Sequence, residues 1–352
     1  MSVYEGSWRG KARQRVRGIL IVSLISALVA SGLVLLATRA LAPTGGNRAG
    51  LQASIDQAMP ATFIGATSSS GSAPGAIDIV STADGHVVRR IATTSTQYAD
   101  NGLSRDGSAS VYFDRFTSPS GKVEIAVVSL AGGPVTDVVE GIDPALSTDG
   151  RYLGYVPAGL TPAIGVLDLQ TGEDRTISLA AELAGYQVAW DKGLAWLDHD
   201  TKLAVLAYKS GVVAQSCPAL VVCSGSPSAP SVSRLVILAL TSASATLSSV
   251  ITSQPNERWT FLAAGNQGQD VVVFESGDNS RQPGSRFLEA AVGSNQWRTL
   301  AATPAGIFPV SLDSTATHLL YMDGASLNAG TISDGSLIDV RSIPGAFVTA
   351  SW

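Results

Sequence analysis

The chain has 352 residues, of which 14% are charged, 45% hydrophobic and 6% aromatic, with 36 Gly, 16 Pro and two Cys. This balance excludes a disordered polyelectrolyte, a coiled coil and a collagen-like chain, and two cysteines exclude a disulfide-dense scaffold or a cysteine zinc cluster. The net charge of −5 is uneven: residues 1–42 hold six basic and one acidic side chain, residues 43–352 hold 17 and 27. The bulk of the chain is therefore acidic, lacks a basic stripe and is expected to bind no nucleic acid.

Arg9, Lys11, Arg13, Arg15 and Arg17 precede an uncharged run from Ile19 to Ala37, whose only polar side chains are Ser23, Ser26 and Ser31. At about 1.5 Å per residue such a run spans roughly 28 Å, the thickness of a bilayer's hydrocarbon layer. The cations stay on the cytoplasmic side, so the rest of the chain is expected outside the cytoplasm. Residues 1–18 then form a cytoplasmic basic segment, residues 19–41 a transmembrane signal anchor and residues 42–59 a Pro/Gly-rich linker. Ala40-Leu41-Ala42 leaves open cleavage after Ala42, which would make the protein secreted. The uncleaved anchor is favoured, because the apolar run exceeds the about 7–15 residues of a signal-peptide core and Arg39 stands before the cleavage site.

From about residue 60 short β-rich runs alternate with Asp-Gly, Gly-Gly and Ser-Gly turn signals. LSRDGSASVYF at 103–113 matches LSTDGRYLGYV at 146–156, an offset of 43 residues. Shortened or altered copies follow at 188–197, 261–274 and 310–322. Each copy is followed by an apolar strand, a turn and another strand, such as Ile164–Leu169, Thr171-Gly172 and Arg175–Leu179. Four strands in roughly 43 residues is the period of a propeller blade.

At these residues the chain resembles the TolB-like family of propeller repeats, whose signature is Pro-x-Trp-Ser-Pro-Asp-Gly followed by Ile-Ala-Tyr. Pro144-Ala-Leu146-Ser-Thr-Asp149-Gly150-Arg-Tyr-Leu-Gly-Tyr155 carries the resemblance best, and Trp190 supplies the only internal Trp anchor. The expected fold class is all-β: a six-bladed β-propeller over residues 60–352, preceded by one N-terminal transmembrane helix. Closure comes from Phe347–Trp352, a first strand without its successor, joining Ala61–Ala66, a second strand without its predecessor. The long spacing from Trp190 to Leu262 implies an insertion at about 200–232, with Leu203–Tyr208 as an extra hairpin.

The loops joining second to third strands, and the links between blades, are long and irregular, which marks their face as the recognition surface. Candidate contacts there are Asp114, Arg115, Asp278 and Arg281, with Leu220 and Val221 of the insertion either an exposed apolar tip for a partner, which is favoured, or core-facing. Cys217 and Cys223, in an exported chain, are expected to form a disulfide, free thiols being the alternative. His86, His199 and His318 belong to no recognisable catalytic or metal-binding pattern, so neither an enzyme activity nor a metal or cofactor is expected. The function expected is that of a membrane-tethered scaffold for a protein or an envelope polymer, scaffolding being what the TolB-like resemblance implies. The alternatives are a propeller hydrolase or lyase acting on envelope glycans, and an accessory subunit of an envelope complex.

Overall fold

The computed structural model describes residues 58–352 except 68–74, 95–97, 107–108, 118–121, 160–161, 190–191, 210–231, 242–243, 255–256 and 277–283. The expected membrane anchor, linker and Cys217–Cys223 pair lie outside the described residues, as do Trp190, Leu220, Val221, Asp278 and Arg281. The described residues form an all-β, propeller-like array.

The strands follow one another as antiparallel units of four. The first holds β1 (Thr62–Thr67), β2 (Gly75–Ser81) and β3 (Val87–Thr94). The second holds β4 (Tyr98–Asp106), β5 (Ser110–Thr117), β6 (Lys122–Ser129) and the start of β7 (Thr136–Leu146). From Gly141 onward β7 pairs with β8 (Tyr152–Pro157) and opens the third unit, completed by β9 (Ala163–Asp168) and β10 (Asp174–Ser178). The fourth contains β11 (Tyr186–Val188), β12 (Leu194–Leu197), β13 (Lys202–Lys209), β14 (Ser233–Leu240) and β15 (Ala245–Thr252). The fifth is β16 (Arg258–Gly265), β17 (Asp270–Ser276), β18 (Ser285–Ala291) and β19 (Arg298–Thr303). The sixth is β20 (Ile307–Leu312), β21 (His318–Asp323), β22 (Ser326–Ser333) and β23 (Gly335–Ile343), and β24 (Phe347–Ser351) follows.

β24 pairs antiparallel with β1, Gly65 opposite Ala350 and Ala66 opposite Thr349, so the end of the chain supplies the first unit with its missing strand, as expected from the two truncated ends. The leading strands of the units touch in a cycle: β24 meets β4, β4 meets β7, β7 meets β12, β12 meets β16, β16 meets β20 and β20 meets β24.

The turn signals act locally, as the sequence implies. In the first-to-second-strand turn of the third unit, the Asp149 carboxylate accepts the Ser147 hydroxyl at 2.6 Å and the Arg151 N–H at 2.9 Å. Gly150 takes φ +71°, a left-handed conformation that costs glycine little.

Two expectations are corrected. Leu203–Tyr208 is not an extra hairpin: it is the body of β13, the second strand of the fourth unit. β11 and β12 both pair with β13, so together they form one first strand broken by a bulge between Val188, opposite Ala207, and Leu194, opposite Val205. The run 194–197 therefore ends a first strand instead of beginning a second, and the excess residues fall between β13 and β14. Gly193 sustains the bulge, because a Cβ there would sit 2.5 Å from the Ala189 carbonyl oxygen. Asp114 and Arg115, expected in a loop, lie within β5, whose pairing with β6 runs on to Thr117 opposite Lys122.

The closing seam is apolar. Phe63, Val80, Phe347 and Ala350 of the first unit pack with Val310, Leu320, Leu327, Ala329 and Ile343 of the sixth. The Phe347 ring meets Phe63 edge-on, centroids 5.5 Å apart, and lies where a Cβ on Gly65 would come within 2.7 Å of it. Phe347→Ala should therefore cost about 3–5 kcal/mol, the range for truncating a buried Phe. Urea denaturation of the full chain measures it, and an unchanged midpoint would show that β24 is dispensable.

Candidate functional site

The leading strands bring titratable groups from consecutive units together. Asp143, on β7, takes φ +57°, a conformation that non-glycine residues adopt at a cost and that marks the position for scrutiny. It falls at an irregularity in the pairing of β7 with β8, between Ile142 and Ala145. Its side chain is buried, and its carboxylate accepts the backbone N–H of Lys192 at 3.1 Å and of Gly193 at 2.8 Å. The bulge that splits the fourth unit's first strand thus delivers two N–H donors to the third unit.

The cluster extends to both sides. The Asp143 N–H donates to the buried Asp114 carboxylate, 3.1 and 3.3 Å from its two oxygens. The Lys192 ammonium donates to the Leu103 carbonyl at 2.9 Å, and the Lys192 carbonyl accepts the Leu262 N–H at 2.9 Å. One continuous polar chain therefore crosses the second, third, fourth and fifth units. Burial pushes the Asp143 carboxyl up to about 6, against the opposing pull of the Lys192 charge and of the Gly193 and Lys192 N–H groups.

A second polar set joins neighbouring turns. Asp198, His199 and Asp200, with φ of +51°, +52° and +65°, form the turn between β12 and β13. The Asp200 carboxylate accepts the Thr148 and Asp149 N–H groups at 2.9 and 3.1 Å, clamping the third unit's turn to the fourth. The Asp198 N–H donates to the Gly268 carbonyl at 2.7 Å, and the Gln267 N–H to the Ser314 carbonyl at 2.8 Å, continuing the set into the fifth and sixth units.

Of the candidates read from the sequence, Asp114 joins the central cluster. Arg115 is mostly buried and pairs with Asp137 on β7, with Glu124 3.8 Å away. The structure brings neither to an exposed loop. His318 is buried, its Nδ1 2.9 Å from the Asp313 carboxylate and 3.1 Å from the Thr317 hydroxyl, in a contact that braces the turn before β21. His86 is exposed and bonded to Asp84. Asp143, Lys192 and Asp200 were not read as site residues. The available signal was an acid in the otherwise apolar run Gly141–Leu146, directly before the Pro144 that opens the repeat motif.

A cavity of about 570 Å³ lies where the closing strand meets the sixth unit, lined by Pro60, Thr62, Ser311, Asp313, Thr315 and Trp352. The Trp352 N–H donates to the Ser311 hydroxyl at 3.2 Å, so this cavity belongs to the closing seam.

No protein-family model matches the chain, and no curated protein matches it. Among solved structures it is similar to TolB from Acinetobacter baumannii, at 11% identity and a TM-score of 0.49 over 81% of this chain and 66% of that one. It is also similar to the periplasmic gluconolactonase PpgL of Pseudomonas aeruginosa, at 13% identity and a TM-score of 0.44 over 80% of this chain and 99% of that one. An oligogalacturonate lyase in complex with manganese aligns at 12% identity and a TM-score of 0.43, over 78% of this chain and 83% of that one. The chain spans just under two thirds of the TolB structure's length.

The buried Asp143 carboxyl makes stability depend on pH. Its native value of about 6 lies above the ordinary carboxylate range, so its contribution is complete below about pH 4 and is lost as pH rises through 6. The loss is on the order of 2–3 kcal/mol. The stability of the wild type relative to Asp143→Asn, from denaturant titrations at pH 4 to 7, should fall by that amount, whereas a constant difference would show that Asp143 keeps an ordinary titration.

Proposed function

We propose that this protein is a membrane-tethered, extracytoplasmic, six-bladed β-propeller that acts as a binding scaffold for a protein or an envelope polymer. The observation that carries the reading is how the converging acids are used. Asp114 and Asp143 come from adjacent units, as a glycan-cleaving carboxylate pair would. Their oxygens instead accept backbone N–H groups that tie the units together, which favours a rigid platform over a reaction centre. Support for six blades comes from the cycle of leading-strand contacts and from apolar clusters that each bridge two consecutive units.

The tether rests on the basic run before Ile19 and the uncharged stretch to Ala37. A reporter enzyme that works only outside the cytoplasm, fused after Trp352, should be active. Full expression without activity would count against this topology. Crosslinking followed by capture from membranes tests the scaffold role itself, and recovery of the chain without any partner or polymer would count against it.

Export also supports a disulfide between Cys217 and Cys223. A non-reducing peptide map should recover the two linked, and both cysteines reacting with a thiol reagent before reduction would reject the bridge. Closing so short a loop removes little chain entropy, so replacing both by Ser should cost at most about 3 kcal/mol.

A further inference from the structure

A second cavity, about 230 Å³, opens between the end of β15 and the fifth unit. Trp259 and Trp297 form its apolar wall, their ring centroids 5.2 Å apart and their planes inclined by 47°. Trp259 is 3% exposed, and its indole N–H has no hydrogen-bond partner among the described residues. Trp297 is only half-buried.

A fixed polar group lines the same cavity. The Arg286 guanidinium donates to the buried Glu275 carboxylate from Nε at 3.0 Å and from a terminal nitrogen at 2.9 Å, and Glu257 lies 3.7 Å from the same terminal nitrogen. Glu257 is itself held, its other oxygen accepting the Gln254 N–H at 2.9 Å. Glu257 lines the cavity with Arg286, and Glu275 is buried behind them, so two carboxylates engage the one guanidinium. Thr252 and Thr299 add hydroxyls at the margin.

We propose that this cleft is a binding subsite for a neutral, gluco-configured sugar unit. Such a pyranose has an apolar C–H face to lay on the Trp297 indole, and equatorial hydroxyls that suit planar guanidinium and carboxylate groups. The guanidinium is already engaged by carboxylates, which disfavours an anionic sugar. The backbone N–H groups of Ser253 and Glu257 at the cleft are already engaged, donating to the Ser233 carbonyl at 2.9 Å and the Gln254 carbonyl at 3.0 Å, which leaves them unavailable to an added peptide strand. The size suits one ring, which is expected to bind weakly and to depend on repetition along a polymer for strength.

The inference rests on the scaffold reading and names the chemistry of the polymer. The test is calorimetric titration of the full-length protein in detergent with cellotetraose and chitotetraose, alongside tetragalacturonate and a proline-rich peptide. The neutral oligosaccharides should bind, Trp297→Ala should weaken them at least about tenfold, and Trp297→Phe should retain most of the affinity. Should Trp297→Ala fail to fold, quenching of the wild type's tryptophan fluorescence by the same sugars, with Trp297→Phe as reference, replaces it. No binding at roughly millimolar sugar, preference for tetragalacturonate or the peptide, or equal binding by the Trp297→Ala variant would overturn the proposal. If the sugars do not bind while membrane crosslinking still captures a partner, this inference fails and the scaffold reading stands.

Discussion

Every unit of this protein depends on having both faces of its sheet covered by the units beside it. Side chains on a strand alternate between faces, so consecutive residues serve opposite seams. β13 shows this directly: Leu203, Val205 and Ala207 pack with the third unit, while Ala204 and Leu206 pack with the fifth. β17 repeats the pattern, Val271 and Val273 facing the fourth unit, Val272 and Phe274 the sixth. At about 1.5–3 kcal/mol for each large apolar side chain taken from water, these seams supply the main stabilisation. A unit missing one neighbour would leave an apolar face in solvent, which is why β24 matters beyond its five residues.

That constraint accounts for the placement of the polar groups. Apolar packing between sheets is not directional and tolerates sliding, whereas hydrogen bonds across a seam set its register. The buried carboxylates of Asp114 and Asp143, and the turn-capping Asp200, each accept backbone N–H groups across a bend or a seam. The left-handed conformations of Asp143 and Lys192 are tolerated because these bonds hold them. Burying a carboxylate in this way carries a desolvation cost, visible in the raised titration of Asp143, and the bonds it accepts offset part of it.

The same geometry leaves chemistry at the edges. The outer strands β3 and β15 carry exposed Val87, Val88, Leu247 and Val250, because beyond them there is no further strand to cover, and Ile338 and Val340 on β23 are exposed past the two residues, Gly335 and Ser336, at which β23 meets β19. The cleft beside Trp297 arises where the link from β15 to β16 passes the β18–β19 pair and leaves space that the apolar seam does not fill. The seams are committed to stability, which leaves exposed polar and aromatic groups to the links and rims.

The strand period, the Asp-Gly turns and the need for the C-terminal strand to complete the first unit are legible in the residues alone, because hairpins form between neighbours and their turn residues announce them. An acidic bulk after a basic and then uncharged apolar N-terminal run is equally legible there. That the runs at 186–188 and 194–197 are one broken strand emerges only from the fold, because both are short segments until β13 pairs with each. Only the fold placed Asp143 beside Lys192 and Gly193, about fifty residues on, and Trp259 beside Trp297. The Asp143 contacts cross the seam between the third and fourth units, and the Trp pair joins opposite ends of the fifth unit's sequence, relations that local pattern does not encode.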